Sequence, residues 1–103
     1  MRREEHLAID KKIFGKEFPD VHGWIDSEYP KYFRTNPFRH WLAYHHEEAI
    51  REKYGAYTEN YNVACMHVIC DFLSHFNKCC LPRDKYELMS ILGACGELYD
   101  EET

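Results

Sequence analysis

Residues 59–77 read ENYNVACMHVICDFLSHFN, and the fold class turns on how this stretch is patterned. Its large apolar side chains, Tyr61, Cys65, Val68, Phe72 and Phe76, recur at intervals of three and four rather than two. That spacing lines one face of a helix, whereas a half-buried strand would alternate. The stretch predicts a helix from about Glu59 to Asn77, and Leu81-Pro82 breaks the chain after it. His67 and Asp71 sit beside the apolar face, and His75 continues their stripe at the same spacing.

The same periodicity extends in both directions. Downstream, Arg83 to Leu92 predicts a further helix. Upstream, Phe38, Trp41, Leu42, His45 and Ala49 share a face of a helix running from Pro37 through Tyr54, with Asn36 as its cap and Gly55 as its stop. Pro19-Asp20 opens another, carrying Val21, Trp24 and Ile25 and ending near Pro30. The first runs from Arg3 to Phe14 and stops at Gly15. The prediction is an all-α chain, a single compact domain of about five helices over residues 1–103, with 98–103 a frayed acidic tail.

Composition narrows the functions. At 103 residues with 45% apolar content, the chain can bury one core, and its aromatics give that core bulk. A net charge of -5 argues against binding duplex nucleic acid, which needs a basic footprint. No stretch approaches the roughly 20 apolar residues that span a bilayer, and the first residues lack a secretory signal, so no membrane association and a cytoplasmic location are expected. Five cysteines, an odd set, read as reduced thiols. A zinc site from His75, Cys79, Cys80 and Cys95 is a rival centre, but adjacent cysteines lack the usual ligand spacing.

The chemistry-bearing pattern is a recurrence. His6, His22 and His67 each have an aspartate four positions later, at Asp10, Asp26 and Asp71. Chance supplies about 0.4 such pairs in a chain of this composition. Four-residue spacing puts both side chains on one helical face, a reach that suits two ligands on one ion, or an aspartate orienting a histidine. His45 lies on an apolar face, where an imidazole needs a partner for each nitrogen. His46 lies on the flank with Arg39. These residues predict a metal site at the seam of three helices, with His22, Asp26, His45, His67 and Asp71 as ligands. The plainer account is that the pairs are solvated surface hydrogen bonds, that His40 and His75 are structural, and that Arg39 makes a surface ion pair.

In order along the chain come His6 ahead of Phe14-Gly15, the block Val21-His22-Gly23-Trp24-Ile25-Asp26, Arg39-His40 with His45-His46, and His67-Val68-Ile69-Cys70-Asp71 ahead of Leu81-Pro82. By these blocks, spread over residues 6–87, the chain resembles a family of small phage and bacterial proteins with no assigned activity. The resemblance implies that His6, His22, Asp26, His40, His45, His46, His67 and Asp71 act as a set. The chain departs from the family pattern at Cys70, at the missing glycine after Asp71, and at Asp10, so the resemblance gives positions 70 and 10 no role.

Two functional expectations follow, with a third beside them. One is a metal-dependent hydrolase of phosphoesters, with ligands similar to those of HD phosphohydrolases by analogy. His46 or His40 would shuttle protons there, and Arg39 would neutralise charge on a phosphorylated small molecule. A chain this short leaves room for a homodimer to complete the pocket. The alternative is a non-catalytic, metal-stabilised protein-binding module of phage origin. The third is a metal-free helical interaction protein. Zinc, iron, manganese and nickel all accept His and Asp, so the divalent ion is left open.

Overall fold

The computed structural model of the chain describes residues 1–98, and among them every regular element is helical. In chain order these are α1 (Arg3–Phe14), α2 (Pro19–Ile25), α3 (Tyr29–Tyr32), a 3-10 turn (Pro37–His40), α4 (Trp41–Tyr44), α5 (Glu47–Tyr54), α6 (Glu59–Phe76) and α7 (Lys85–Ala94). The predicted stop at Gly15 is a left-handed residue, φ 85°, whose N–H bonds to Lys11 O. Only glycine takes that conformation without a Cβ penalty. Thr58 opens α6 by accepting from the Tyr61 N–H at 3.2 Å, and Asp84 opens α7 by accepting from Glu87 N–H at 2.9 Å.

Helix α6 is the axis of the molecule, with α1, α2 and α5 packed against it. Of its predicted apolar face, Tyr61, Cys65, Val68 and Phe72 are buried and Phe76 is partly so, while Val63 and Ala64, outside that face, join the core with Ile25, Ile50, Leu88 and Leu92. Trp41 on α4 packs beside Phe72. No described helix is long and apolar enough to cross a membrane. All five cysteines are free thiols, with Cys65 inside the core and Cys79 exposed.

Three local readings are corrected. The helix predicted over Pro37–Tyr54 is three pieces, a 3-10 turn, α4 and α5, broken at His45 and His46. The break is affordable because α5's first N–H groups find other acceptors: Glu47 N–H donates to Pro82 O at 2.8 Å and Glu48 N–H to Arg83 O at 2.9 Å. Asn36 precedes the 3-10 turn, but its side chain makes no cap. Its Nδ2 donates instead to Glu97 O at 3.0 Å, tying the segment after α7 to the fold. The second predicted helix ends at Ile25, and a turn separates it from the short α3. Of the predicted acidic tail, Leu98 packs against the core and residues 99–103 lie outside the described residues.

Candidate metal centre

Four donor atoms from three parts of the chain meet inside the bundle. His67 and Asp71 come from one face of α6, as their spacing requires. Asp26 stands at the C-cap of α2, and His45 at the break after α4. His45 Nε2 lies 3.2 Å from Asp71 Oδ2 and 3.3 Å from Asp26 Oδ1. His67 Nε2 lies 3.1 Å from Asp71 Oδ2 and 3.4 Å from Asp26 Oδ1. Metal–nitrogen and metal–oxygen bonds of roughly 2.0–2.1 Å put neighbouring donors about 3.3–3.4 Å apart in a tetrahedron and about 2.8–3.0 Å apart in an octahedron. The four measured separations fall in that range.

Hydrogen bonding alone leaves this group incomplete. His67 Nε2 is buried and makes no hydrogen bond, although two carboxylate oxygens are close to it. A ring nitrogen that approaches two acceptors yet bonds to neither has the arrangement of a co-ligand. His40 stands beside the group. Its Nδ1 contacts Pro37 O and must donate, because a carbonyl only accepts. In the neutral ring Nε2 is therefore bare, and it faces Asp26 Oδ1 at 3.3 Å. Two lone pairs face each other there unless a cation or proton intervenes.

A second ring of buried side chains holds the first. Asp71 Oδ1, the oxygen turned away from the four-atom group, accepts from His6 Nε2 at 3.1 Å. The His6 ring lies flat on His67, with centroids 3.8 Å apart and planes 12° apart. His22 Nδ1 meets His67 Nδ1 at 2.8 Å, and His22 Nε2 meets Asp10 Oδ2 at 2.7 Å. The same Asp10 oxygen accepts from Phe18 N–H at 3.0 Å. His6, His22 and His67 also come close enough to hold an ion as a trio. The flat stacking of His6 on His67 and the anchoring of His22 by Asp10 favour hydrogen bonding there instead.

The electrostatics are those of a site built for positive charge. Burial opposes ionisation of Asp26, but His40, His45 and His67 beside it outweigh burial and hold its pKa far below the usual carboxylate range. Asp71 is held equally low, burial being outweighed by His45, His6 and His67. For His67, burial opposes the charged ring, yet Asp26 and Asp71 raise its pKa to about 9. His6 and His22 shift downward, mainly through burial. Two ionised carboxylates this close together, Asp71 buried and Asp26 half-buried, favour a cation between them, and the Met1 ammonium, 3.4 Å from Asp71 Oδ1, supplies charge only on the outer side of Asp71.

The group is open on one side. A cavity of about 740 Å³ has Asp26, Asp71 and His40 in its wall, together with Arg2, Arg3 and Trp41. The Asp26 side chain is 28% exposed, while His45 and His67 are fully buried. Of the four donors, Asp26 is therefore the one most open to the cavity, while His45 and His67 stand behind it.

Of the predicted ligands, Asp26, His45, His67 and Asp71 bring atoms to one place, and His22 stands one residue further out, behind His67. His46 points elsewhere. Its Nδ1 accepts from Ala49 N–H at 3.3 Å, so it caps α5, and it lines a different hollow with Trp24 and Tyr44. Arg39 is half-buried on the 3-10 turn and is not part of the cavity wall. His75 is in that wall but outside the four-atom group. The two groups of metal-capable side chains among the described residues contain no cysteine. Asp10 stands outside the predicted ligand set; its spacing marks it as a partner of His6, but in the fold it holds His22, and His6 bonds to Asp71. Comparison with known proteins adds nothing to this assignment: no protein-family model, no curated protein and no solved structure matches the chain.

Proposed function

We propose that the protein is a metal-dependent hydrolase acting on a phosphorylated small molecule. The observation that carries this reading is the convergence of His45 Nε2, His67 Nε2, Asp26 Oδ1 and Asp71 Oδ2 beside an open cavity whose wall includes Asp26 and Asp71. A divalent ion held by two imidazoles and two carboxylates polarises a phosphoryl oxygen and acidifies bound water. The chain's own groups supply the rest. His40, fixed through Nδ1 on Pro37 O, turns Nε2 toward Asp26 in the cavity wall, the nitrogen that would exchange a proton with water there. Arg2 and Arg3 in the same wall favour an anionic substrate. His46 and Arg39, expected from sequence to share these tasks, have no place in this scheme because of where they sit. The resemblance to phage and bacterial proteins of unassigned activity is compatible with this reading.

One observation favours the non-catalytic alternative. Four protein donors fill a tetrahedral ion completely, as structural zinc sites do, whereas a catalytic ion keeps an open position.

The deciding experiment has two stages. Purified protein is assayed for bound zinc, iron, manganese and nickel beside His67→Ala, then for metal-dependent hydrolysis of a chromogenic phosphomonoester and phosphodiester beside His40→Ala. Metal lost in His67→Ala, and turnover reduced about 10²–10⁴-fold in His40→Ala with metal retained, is the expected outcome. Stoichiometric metal without turnover would select the structural reading. No metal in either protein after supplementation would select the metal-free one.

A further inference from the structure

We infer that Asp10 and His22 form a buried relay that fixes which nitrogen of His67 is free to bind the ion, making both of them positioning residues rather than ligands. The inference rests on the metal reading above and extends it.

With His22 neutral, the protons along the chain Asp10–His22–His67 can be arranged in one way. Asp10 Oδ2 already accepts from Phe18 N–H at 3.0 Å, and an ionised carboxylate has nothing to donate. At 2.7 Å, His22 Nε2 must therefore carry the proton and give it to Asp10. A neutral His22 then has a bare Nδ1. Across the 2.8 Å contact the donor must be His67 Nδ1–H. His67 is left with Nε2 as the nitrogen turned to the two carboxylate oxygens, where an ion takes the place of a proton. Each step follows from the one before, starting from a backbone N–H on the loop before α2.

Burial makes the relay rigid. Asp10, His22 and His67 are each about 1% exposed, so water does not substitute for any member. Three elements contribute: Asp10 from α1, His22 from α2 and His67 from α6. The packing of α1 and α2 on α6 is thereby coupled to the orientation of one ligand ring. A carboxylate behind a ligand histidine is a common arrangement. Here a second imidazole is inserted between the two, which moves the anchoring charge one ring further from the ion. The stacked His6 ring blocks rotation of His67 out of this alignment.

The test reads tautomers directly. Long-range proton–nitrogen NMR spectra of protein labelled with nitrogen-15 in histidine are recorded metal-free and after loading with zinc. The expected pattern is His22 protonated on Nε2 in both states, and His67 protonated on Nδ1 in both, with its Nε2 carrying a proton at neutral pH when metal-free and shifted by zinc when loaded. Zinc on His22 Nδ1, or His22 protonated on Nδ1, overturns the relay. The variants His22→Phe and His22→Gln supply the second readout, because phenylalanine keeps the ring without an acceptor and glutamine restores one. Cobalt(II) affinity is expected to fall about 10–100-fold in His22→Phe and to recover partly in His22→Gln, with the visible cobalt spectrum unchanged in shape. A changed spectrum would mean that His22 is a ligand, which defeats this inference and leaves the metal reading standing. Uptake of neither zinc nor cobalt(II) removes the metal reading and the relay with it.

Discussion

His22 Nδ1 and His67 Nδ1 lie 2.8 Å apart, an imidazole–imidazole contact between two helices. In the sequence each of these histidines is paired with an aspartate four residues on. In the fold most of those pairs exchange partners. His6 bonds to Asp71, His22 to Asp10, and Asp26 faces His40, His45 and His67. Only His67 keeps its own Asp71 within reach, at 3.1 Å. The exchange turns three separate local pairs into one connected cluster spanning α1, α2 and α6. The following outcomes depend on that connection.

The adjacent histidines should behave oppositely. His45→Ala removes a donor from the four-atom group, so metal uptake should be lost. His46→Ala removes the acceptor for Ala49 N–H, a helix cap, and should cost about 1 kcal/mol of stability with metal uptake intact. Metal analysis and urea unfolding of the two variants check this, and loss of metal in His46→Ala alone would contradict the geometry.

Removing the metal should destabilise the protein, because buried Asp71 and half-buried Asp26 exchange a divalent ion for the single charge of a protonated His67. For a domain of this size a loss of about 2–3 kcal/mol lowers the melting temperature by roughly 10–20 °C. Calorimetry before and after chelation measures it. An unchanged melting temperature, with metal analysis showing that the ion had left, would remove the charge argument.

Metal-free protein should lose stability as the pH rises toward 9. The folded-state pKa of His67 is raised to about 9 from its ordinary value near 6.5. A raised pKa means that the folded state binds the proton more tightly, so the stabilisation is complete below about 6.5 and disappears as the pH passes 9. Asp26 and Asp71 act in the opposite sense. Their depressed values stabilise the fold above the ordinary carboxylate range, and that contribution is lost as acid protonates them. A bound ion takes the place of the His67 proton, so the loaded protein should not weaken between about 6.5 and 9. Loading at neutral pH should accordingly release a proton, which calorimetric titration in buffers of different ionisation enthalpy detects.

Asp10→Ala should be among the most costly single changes outside the apolar core. It leaves the His22 Nε2–H and the Phe18 N–H without their shared acceptor in a fully buried place. Stranding two donors there is expected to cost about 2–4 kcal/mol. Equilibrium unfolding gives the value, and a cost below about 0.5 kcal/mol, typical of exposed positions, would show that water reaches the relay.

The helices were readable along the chain because their causes are local. The three-four spacing in α6 and the glycines at 15 and 55 act within a turn or two of where they stand, as do the caps at Thr58 and Asp84 that the structure adds. The candidate ligands could be picked out for the same reason, since His-to-Asp spacing is a property of one helix. Which atoms share an ion is not a local property. It depends on α1 and α2 docking against α6, and on His45 and His46 leaving the helix once Pro82 and Arg83 carbonyls accept the freed N–H groups. Those contacts join residues far apart in the chain, and no periodicity encodes them. The residue types for a cation site are therefore written in the primary structure, while the division of those residues into ligands, anchors and caps arises from helix packing.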